Sequence, residues 1–259
     1  MLCEKYETLC DYINNNDTIA KSFYKEQYGE IFTPIHFIES IFEQMPNNVW
    51  SNPNLKWLDT GTGTGNFSLV AYYYLMNSLK DIILNDTDRR NHIIKNMITM
   101  IEINENNINK LQTIFGKNAN IINIDYLLYK DTNFDIIIGN PPYHSISVKK
   151  VPTNNFKEKT NDGITIWHNF LIKSINSLNE NGILLYIIPN IWMKPDKANM
   201  YDLITNNCEI LYIKCFNNTQ TNNIFNKEDK TTTCIVCLKK NKKNNQEFNL
   251  FDYVYNEFK

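Results

Sequence analysis

Glycine is scarce in this chain, eight residues in 259, so a place where glycines gather stands out. No apolar run approaches the roughly 20 residues of a membrane-spanning helix, so a soluble protein is expected, with no membrane partner. The first residues, MLCEKYETLCDYINNNDT, carry acids early and lack the basic-then-apolar order of a secretory leader, which points to an intracellular location, cytoplasmic or nuclear. The six cysteines (Cys3, Cys10, Cys208, Cys215, Cys234, Cys237) lack the dense, regular spacing of a disulfide framework and read as reduced thiols. An excess of basic residues is missing too: 26 Lys and Arg against 28 Asp and Glu give a formal charge of -2, which counts against a phosphate-binding surface on average. Lysines cluster locally at Lys149-Lys150, Lys157 to Lys159 and Lys239 to Lys243, and these read equally well as solvated loops. The wealth of Asn and Ile beside so little Gly looks like the residue bias of an AT-rich genome, and no internal repeat is visible.

What is present is enough apolar sequence, 42%, for one substantial core. Strand-like apolar runs alternate with helix-like stretches, the order of a mostly parallel sheet with helices on both faces. LKWLDTG, MITMIEIN, ANIINIDY, FDIIIGN and GILLYIIPN are five strand candidates, and EILYIKCF and TTTCIVCLKK form a closing pair. Helices are expected over 4–27, 34–44, 72–79 and 165–178, with an extra one over 86–96 capped by Asp86 or Thr87. The division expected is an N-terminal helical segment over 1–50, a catalytic domain over 51–240 and a tail over 241–259.

Two of the candidate features carry chemistry on their own. In Asp59-Thr60-Gly61-Thr62-Gly63-Thr64-Gly65-Asn66-Phe67, glycines sit at a strand-to-helix turn, where backbone approaches a ligand closely and helix N–H groups are exposed. The bland alternative is a turn that only packs helix on strand. The turn lacks the GxGxxG spacing of a dinucleotide loop and the GK[ST] ending of a phosphate loop, which disfavours NAD and ATP. Asn140-Pro141-Pro142-Tyr143 follows an apolar strand, and so falls at the carboxyl edge of the sheet, where open α/β folds bind ligands. Consecutive prolines stiffen that turn, so the Asn140 side-chain oxygen and the Pro141 carbonyl can act as two acceptors for one amino group. Asn-Pro-Pro is also ordinary turn chemistry.

The order GEIFTP, DTGTGTGNF, MIEIN, NIDY and NPPY resembles the N6-adenine DNA methyltransferases, with the cofactor half ahead of the catalytic half, from about Tyr28 to Leu238. The resemblance implies a class I methyltransferase (Rossmann-like) fold, S-adenosylmethionine as methyl donor, DNA as partner and base flipping. It implies that Thr33 holds the donor's carboxylate, with Asp59, Gly61, Gly63 and nearby backbone around its amino-acid end. Glu102 would accept from the ribose hydroxyls and Asp125 from the donor's adenine amino group, although a strand-end acid can equally cap the next helix. Asn140 and Pro141 would engage the target amine, Tyr143 would stack on the extruded base, and Phe225 would supply the opposite face.

Two departures follow. Glu102 lies much farther beyond the glycine turn than the roughly 20 residues of a dinucleotide fold, which leaves Asp86 or Asp88 as alternative ribose acids. After Leu238 only a charged turn and FNLFDYVYNEFK remain, so no separate target-recognition domain is expected, and sequence specificity is expected to be weak or supplied by a protein partner. Other features read as quiet. In TTTCIVCLKK the period-2 pattern puts Cys234 and Cys237 on opposite faces, against a metal site. Tyr72 to Tyr74 read as packing, and His144 adjoins the catalytic turn without a chemical need for a base. Rival functions are a protein glutamine or RNA guanine amino-methyltransferase and an inactive methyltransferase-fold partner subunit.

Overall fold

The computed structural model describes residues 32–143, 165–194, 199–225 and 231–241, and the backbone alone at 251–252 and 257–258. The helix expected over 4–27 and His144 lie outside the described residues. Helix α1, Ile35–Phe42, begins directly after Pro34 and buries Ile35, Ile38, Ile41 and Phe42. Strand β1, Trp57–Asp59, leads through the glycine turn into α2, Asn66–Ser78. Next come α3, Asp86–His92, and β2, Ile98–Glu102, then α4, Glu105–Phe115, and β3, Ile121–Asn123. Strand β4, Phe134–Gly139, ends at the Asn-Pro-Pro-Tyr turn; α5, Trp167–Ser177, precedes β5, Leu178–Pro189. Helix α6, Met200–Asn207, β6, Cys208–Phe216, α7, Asn218–Ile224, and β7, Thr233–Lys240, complete the main body.

Seven strands form one sheet in the order β3-β2-β1-β4-β5-β7-β6. The first five are parallel, and β7 is antiparallel to both β5 and β6. Both faces are covered, and the period-2 alternation of the strands sorts the core into two clusters. Trp57, Ile136, Ile138, Leu185 and Cys237 belong to one; Leu58, Ile137, Leu184, Tyr186, Cys234 and Val236 belong to the other. The sheet therefore separates Cys234 from Cys237, as the alternation requires. Tyr72, Tyr73 and Tyr74 pack against the first cluster, with Tyr74 4.8 Å from Trp50 by ring centroids.

The segment expected as one helix over 86–96 is α3 followed by a single widened π-type turn, Ile93–Met97, that feeds β2. Its cap is neither Asp86 nor Thr87. Asn85 adopts an extended backbone and its side chain accepts from Asp88 N, while Asp86 pairs with Arg89 at 2.6 Å. An extended residue just ahead of the first helical turn is placed to accept from the third helical N–H, and Asn85 occupies that position.

Gly65 shows why the turn into α2 is glycine-rich. Its φ is +99°, and a Cβ there would lie 2.8 Å from Leu111 Cδ2 and 3.2 Å from Phe115 Cε2. Gly65→Ala combines a left-handed backbone with an overlap against α4, so a loss of roughly 1–3 kcal/mol is expected in urea unfolding. An unchanged midpoint would mean that α2 and α4 separate more readily than their packing implies.

Candidate active site

The carboxyl ends of β1, β2, β3 and β4 converge on one cleft of about 780 Å³, open mouth included. Thr33, Gly61, Gly63, Glu102, Asp125, Asn140 and Pro142 all line it, so most of the residues singled out in the sequence come together. Neither Asp86 nor Asp88 lines it, and both lie exposed on α3. Asp59, Pro141, Tyr143 and Phe225 are not part of its wall.

The two strand-end acids each do two things. Glu102 is buried, its Oε2 accepting from Gly63 N at 2.6 Å and its Oε1 from Asn104 N at 2.8 Å. It thus ties the glycine turn to the start of α4, while Asn104 itself caps that helix through Asn106 N. Asp125 Oδ1 accepts from Leu127 N at 2.9 Å and caps the short 3-10 turn Tyr126–Leu128. Capping and facing the cleft are compatible, because a carboxylate has about four lone-pair sites. Apolar residues adjoin both acids: Ile103 beside Glu102, and Ile124 and Tyr126 beside Asp125, with the Phe170 ring 5.2 Å from that of Tyr126.

Asp59 sits under the glycine turn, 1% exposed. Its Oδ2 accepts from Ser68 Oγ at 2.7 Å, and its Oδ1 is buried beneath the Gly61 backbone. Burial pushes the Asp59 carboxyl up to about 7, opposed by hydrogen bonds from the Ser68 side chain and from the backbone of Gly61 and Ser68.

Asn140 follows Gly139, whose φ is +149° and where a Cβ would lie 3.3 Å from Thr60 Oγ1, so the position leaves little room for a side chain. Thr60 is held by Tyr186, hydroxyl to hydroxyl at 2.6 Å, so the turn rests on a packed floor. The Asn140 Nδ2 donates to Thr33 Oγ1 at 3.2 Å. Its Oδ1 is buried and has no partner, which is costly for a polar atom unless something else satisfies it.

The two aromatic candidates are placed elsewhere. Tyr143 is 6% exposed and belongs to the second core cluster, with its carbonyl accepting from Ile166 N. Phe225 is buried in the first cluster, edge-on to Phe37 at 6.2 Å. The end of α7 is packed against α1, which directs the Phe225 ring into the core rather than the cleft. Truncating Tyr143 to alanine is thus expected to cost roughly 3–5 kcal/mol of stability, like other buried aromatic truncations, while Tyr143→Phe keeps the packing. Thermal melts of the two variants read this directly; equal melting of Tyr143→Ala and the parent would place the ring outside the core.

Sequence reasoning missed Asn66. It is buried, lines the cleft and donates from Nδ2 to the Thr33 carbonyl at 2.9 Å. Its place at the first turn of α2, directly after the last glycine, was the available signal.

Comparison with known proteins agrees with this geometry. A family model described as "Eco57I restriction-modification methylase" matches residues 64–225. The chain is 28% identical over 173 residues to the modification methylase CviBIII of Paramecium bursaria Chlorella virus NC1A, covering 64% of this chain and 39% of that protein. It is 24% identical over 220 residues to the release factor glutamine methyltransferase of Mycoplasma mycoides subsp. mycoides SC, covering 79% of this chain and 73% of that one. Among solved structures, the M protein of the type I restriction enzyme EcoKI superposes with a TM-score of 0.62 at 18% identity, over 83% of this chain and 44% of that chain. The fold is the α/β class I methyltransferase fold. This chain spans about two fifths of the viral methylase's length.

Proposed function

The chain belongs to the Eco57I restriction-modification methylase family, and from that premise we propose that it transfers a methyl group from S-adenosylmethionine to the N6 amino group of adenine in DNA. The observation that carries this reading is the Asn140 amide oxygen, buried and without a partner beside the cleft. An acceptor left open in that place suits an amino group.

The cleft residues fit the donor. Glu102 and Asp125 offer carboxylate oxygens on a wall that contains no Lys or Arg among the described residues, which suits a ligand bearing positive charge, hydroxyls and an exocyclic amine. In this reading Glu102 takes the ribose hydroxyls and Asp125 the adenine amino group. Gly61, Gly63 and Thr33 surround the amino-acid end, and Asp59, buried beneath the glycine turn, takes its ammonium through Oδ1 once that turn gives access to it. The donor supplies a methyl group on a sulfonium centre.

The residues of this chain then address a weakness of the acceptor. The lone pair of an aromatic amine is delocalised into its ring and attacks poorly. Hydrogen bonds from its two N–H groups to Asn140 Oδ1 and the Pro141 carbonyl favour a pyramidal nitrogen, aim its lone pair, and stabilise the positive charge that develops on it. The nitrogen forms one bond to the methyl carbon as the carbon–sulfur bond breaks, and then releases one proton to water. No covalent enzyme intermediate is required.

A base within a duplex must first leave its stack, at a cost of a few kcal/mol. Tyr143 is the nearest aromatic to the turn in sequence, and stacking by it requires its ring to leave the inner cluster. Phe225 is not needed for any step. Sequence specificity in this reading is either weak or supplied by a protein partner.

Protein glutamine is the second reading, favoured by the match to a glutamine methyltransferase over most of both chains. An amide NH2 presents the same two donors to Asn140 and Pro141. Incubating the purified protein with tritiated S-adenosylmethionine and, separately, DNA, RNA and release-factor protein decides between them. Label in DNA supports the first reading, label in protein the second, and a chain that neither binds donor nor transfers label is an inactive partner subunit.

A further inference from the structure

An asparagine serves as acceptor only if the oxygen of its amide, and not the nitrogen, faces the target amine. In the structure Asn140 Nδ2 donates to the Thr33 hydroxyl, a contact spanning 107 positions in the chain. Thr33 is 4% exposed, and Asn66 holds its carbonyl, so the hydroxyl stands at a fixed place beside the first turn of α2. A hydroxyl both donates and accepts. A Thr33 hydroxyl that gave its proton to Asn140 would favour the flipped amide, which turns NH2 toward NH2 at the target. The orientation of the catalytic amide therefore depends on where the Thr33 proton goes. Among the described residues nothing takes that proton, and Thr33 lines the donor side of the cleft.

We propose that Thr33 is a positioning residue that couples the two halves of the site: its hydroxyl proton goes to an anionic group of the bound donor, which leaves its oxygen to accept from Asn140 Nδ2 and holds Asn140 Oδ1 toward the target amine. This rests on the S-adenosylmethionine reading, in which the anionic group is the donor's carboxylate. Occupation of the donor site fixes the Thr33 proton, and the amide is then set for the target. Without an anion the hydroxyl is free to rotate, and both amide orientations are accessible. Donor and target binding consequently reinforce each other, and by linkage the coupling is the same in both directions. Asn66 belongs to the same device, because it fixes the threonine backbone on which the hydroxyl turns.

The test compares the parent, Thr33→Ser and Thr33→Val. S-adenosylhomocysteine affinity is measured by calorimetry, and affinity for an adenine-containing duplex by fluorescence anisotropy with and without S-adenosylhomocysteine. The parent and Thr33→Ser are expected to bind duplex at least about fivefold more tightly when S-adenosylhomocysteine is present. In Thr33→Val that tightening is lost, and kcat falls by more than the S-adenosylhomocysteine affinity does. Decarboxylated S-adenosylhomocysteine makes the same test on the unmutated protein, where it is expected to bind without tightening duplex binding. Retained tightening in Thr33→Val, or equal tightening by the decarboxylated compound, overturns the coupling. A parent protein that does not bind S-adenosylhomocysteine overturns the functional reading itself, and a parent that binds it with no effect on duplex affinity overturns only the inference.

Discussion

Replacing Asn140 with alanine is expected to lower kcat by about 10²–10³-fold while S-adenosylhomocysteine affinity stays within a few-fold of the parent value. The asymmetry follows from geometry. The open Asn140 Oδ1 is the acceptor assigned to the target amine, whereas donor contacts are assigned to the glycine turn, Glu102 and Asp125. Removal of one preorganised polar group that meets developing charge typically costs about 2.7–4 kcal/mol in the transition state. The folded state should suffer little, because the substitution also deletes a buried polar atom that lacks a partner. Single-turnover methylation and calorimetry separate the two effects. Near-parent turnover would remove Asn140 from the chemistry, and a parallel collapse of donor affinity would place it in the donor site instead.

The second large effect is expected at Asp59, where function and stability should move in opposite directions. Burial raises the carboxyl of the folded protein to about 7 from an ordinary 3.8. The folded state therefore holds a proton that the unfolded chain releases between these values. The stability associated with that proton is fully present below about pH 4 and is lost as pH rises through about 7. Asp59→Asn removes the ionisation, so the variant should be more stable than the parent at about pH 8, by on the order of a few kcal/mol, with the difference vanishing near pH 4. Donor binding should show the reverse. An ammonium beside Asp59 favours the ionised carboxylate, so parent affinity should rise between about pH 5.5 and 7.5. Asp59→Asn should bind about 10–100-fold more weakly at the upper pH, the equivalent of one charge-assisted hydrogen bond, with a flat profile. Thermal melts and calorimetry across this range provide both readouts. A variant that is no more stable at the upper pH, or that keeps the parent's affinity, would contradict a buried acid that meets the donor's ammonium.

The legible part of this molecule was the part governed by local pattern. Runs such as FDIIIGN and GILLYIIPN are apolar on both faces because the sheet is covered on both sides, and each appears as a strand. The alternation within TCIVCLKK likewise assigns Cys234 and Cys237 to different faces, and they occupy different clusters. Thr33, Gly61, Gly63, Glu102, Asp125 and Asn140 reach one cleft because strand ends at one edge of a parallel sheet must converge there. What stayed hidden depends on packing between distant segments. Nothing local in the sequence shows that Asn66 holds Thr33, 33 positions away, or that Thr33 in turn receives the Asn140 amide. The burial of two aromatic residues was hidden for the same reason. Tyr143 closes the Asn-Pro-Pro-Tyr turn and Phe225 directly follows a helix, yet hydrophobic burial draws both rings into the core. The Asn85 cap was missed because two adjacent residues, Asp86 and Thr87, have equally suitable side chains, and only the backbone angles distinguish them.

The most direct test of the central claim is the identity of the methylated atom. Duplex DNA incubated with the purified protein and S-adenosylmethionine would be digested to nucleosides and analysed by mass spectrometry, with the Asn140→Ala protein as control. N6-methyldeoxyadenosine is expected from the parent protein, and at least about a hundredfold less from the variant at equal time. Methyl groups found only on protein glutamine, or N6-methyldeoxyadenosine formed equally by parent and variant, would contradict adenine N6 transfer at Asn140.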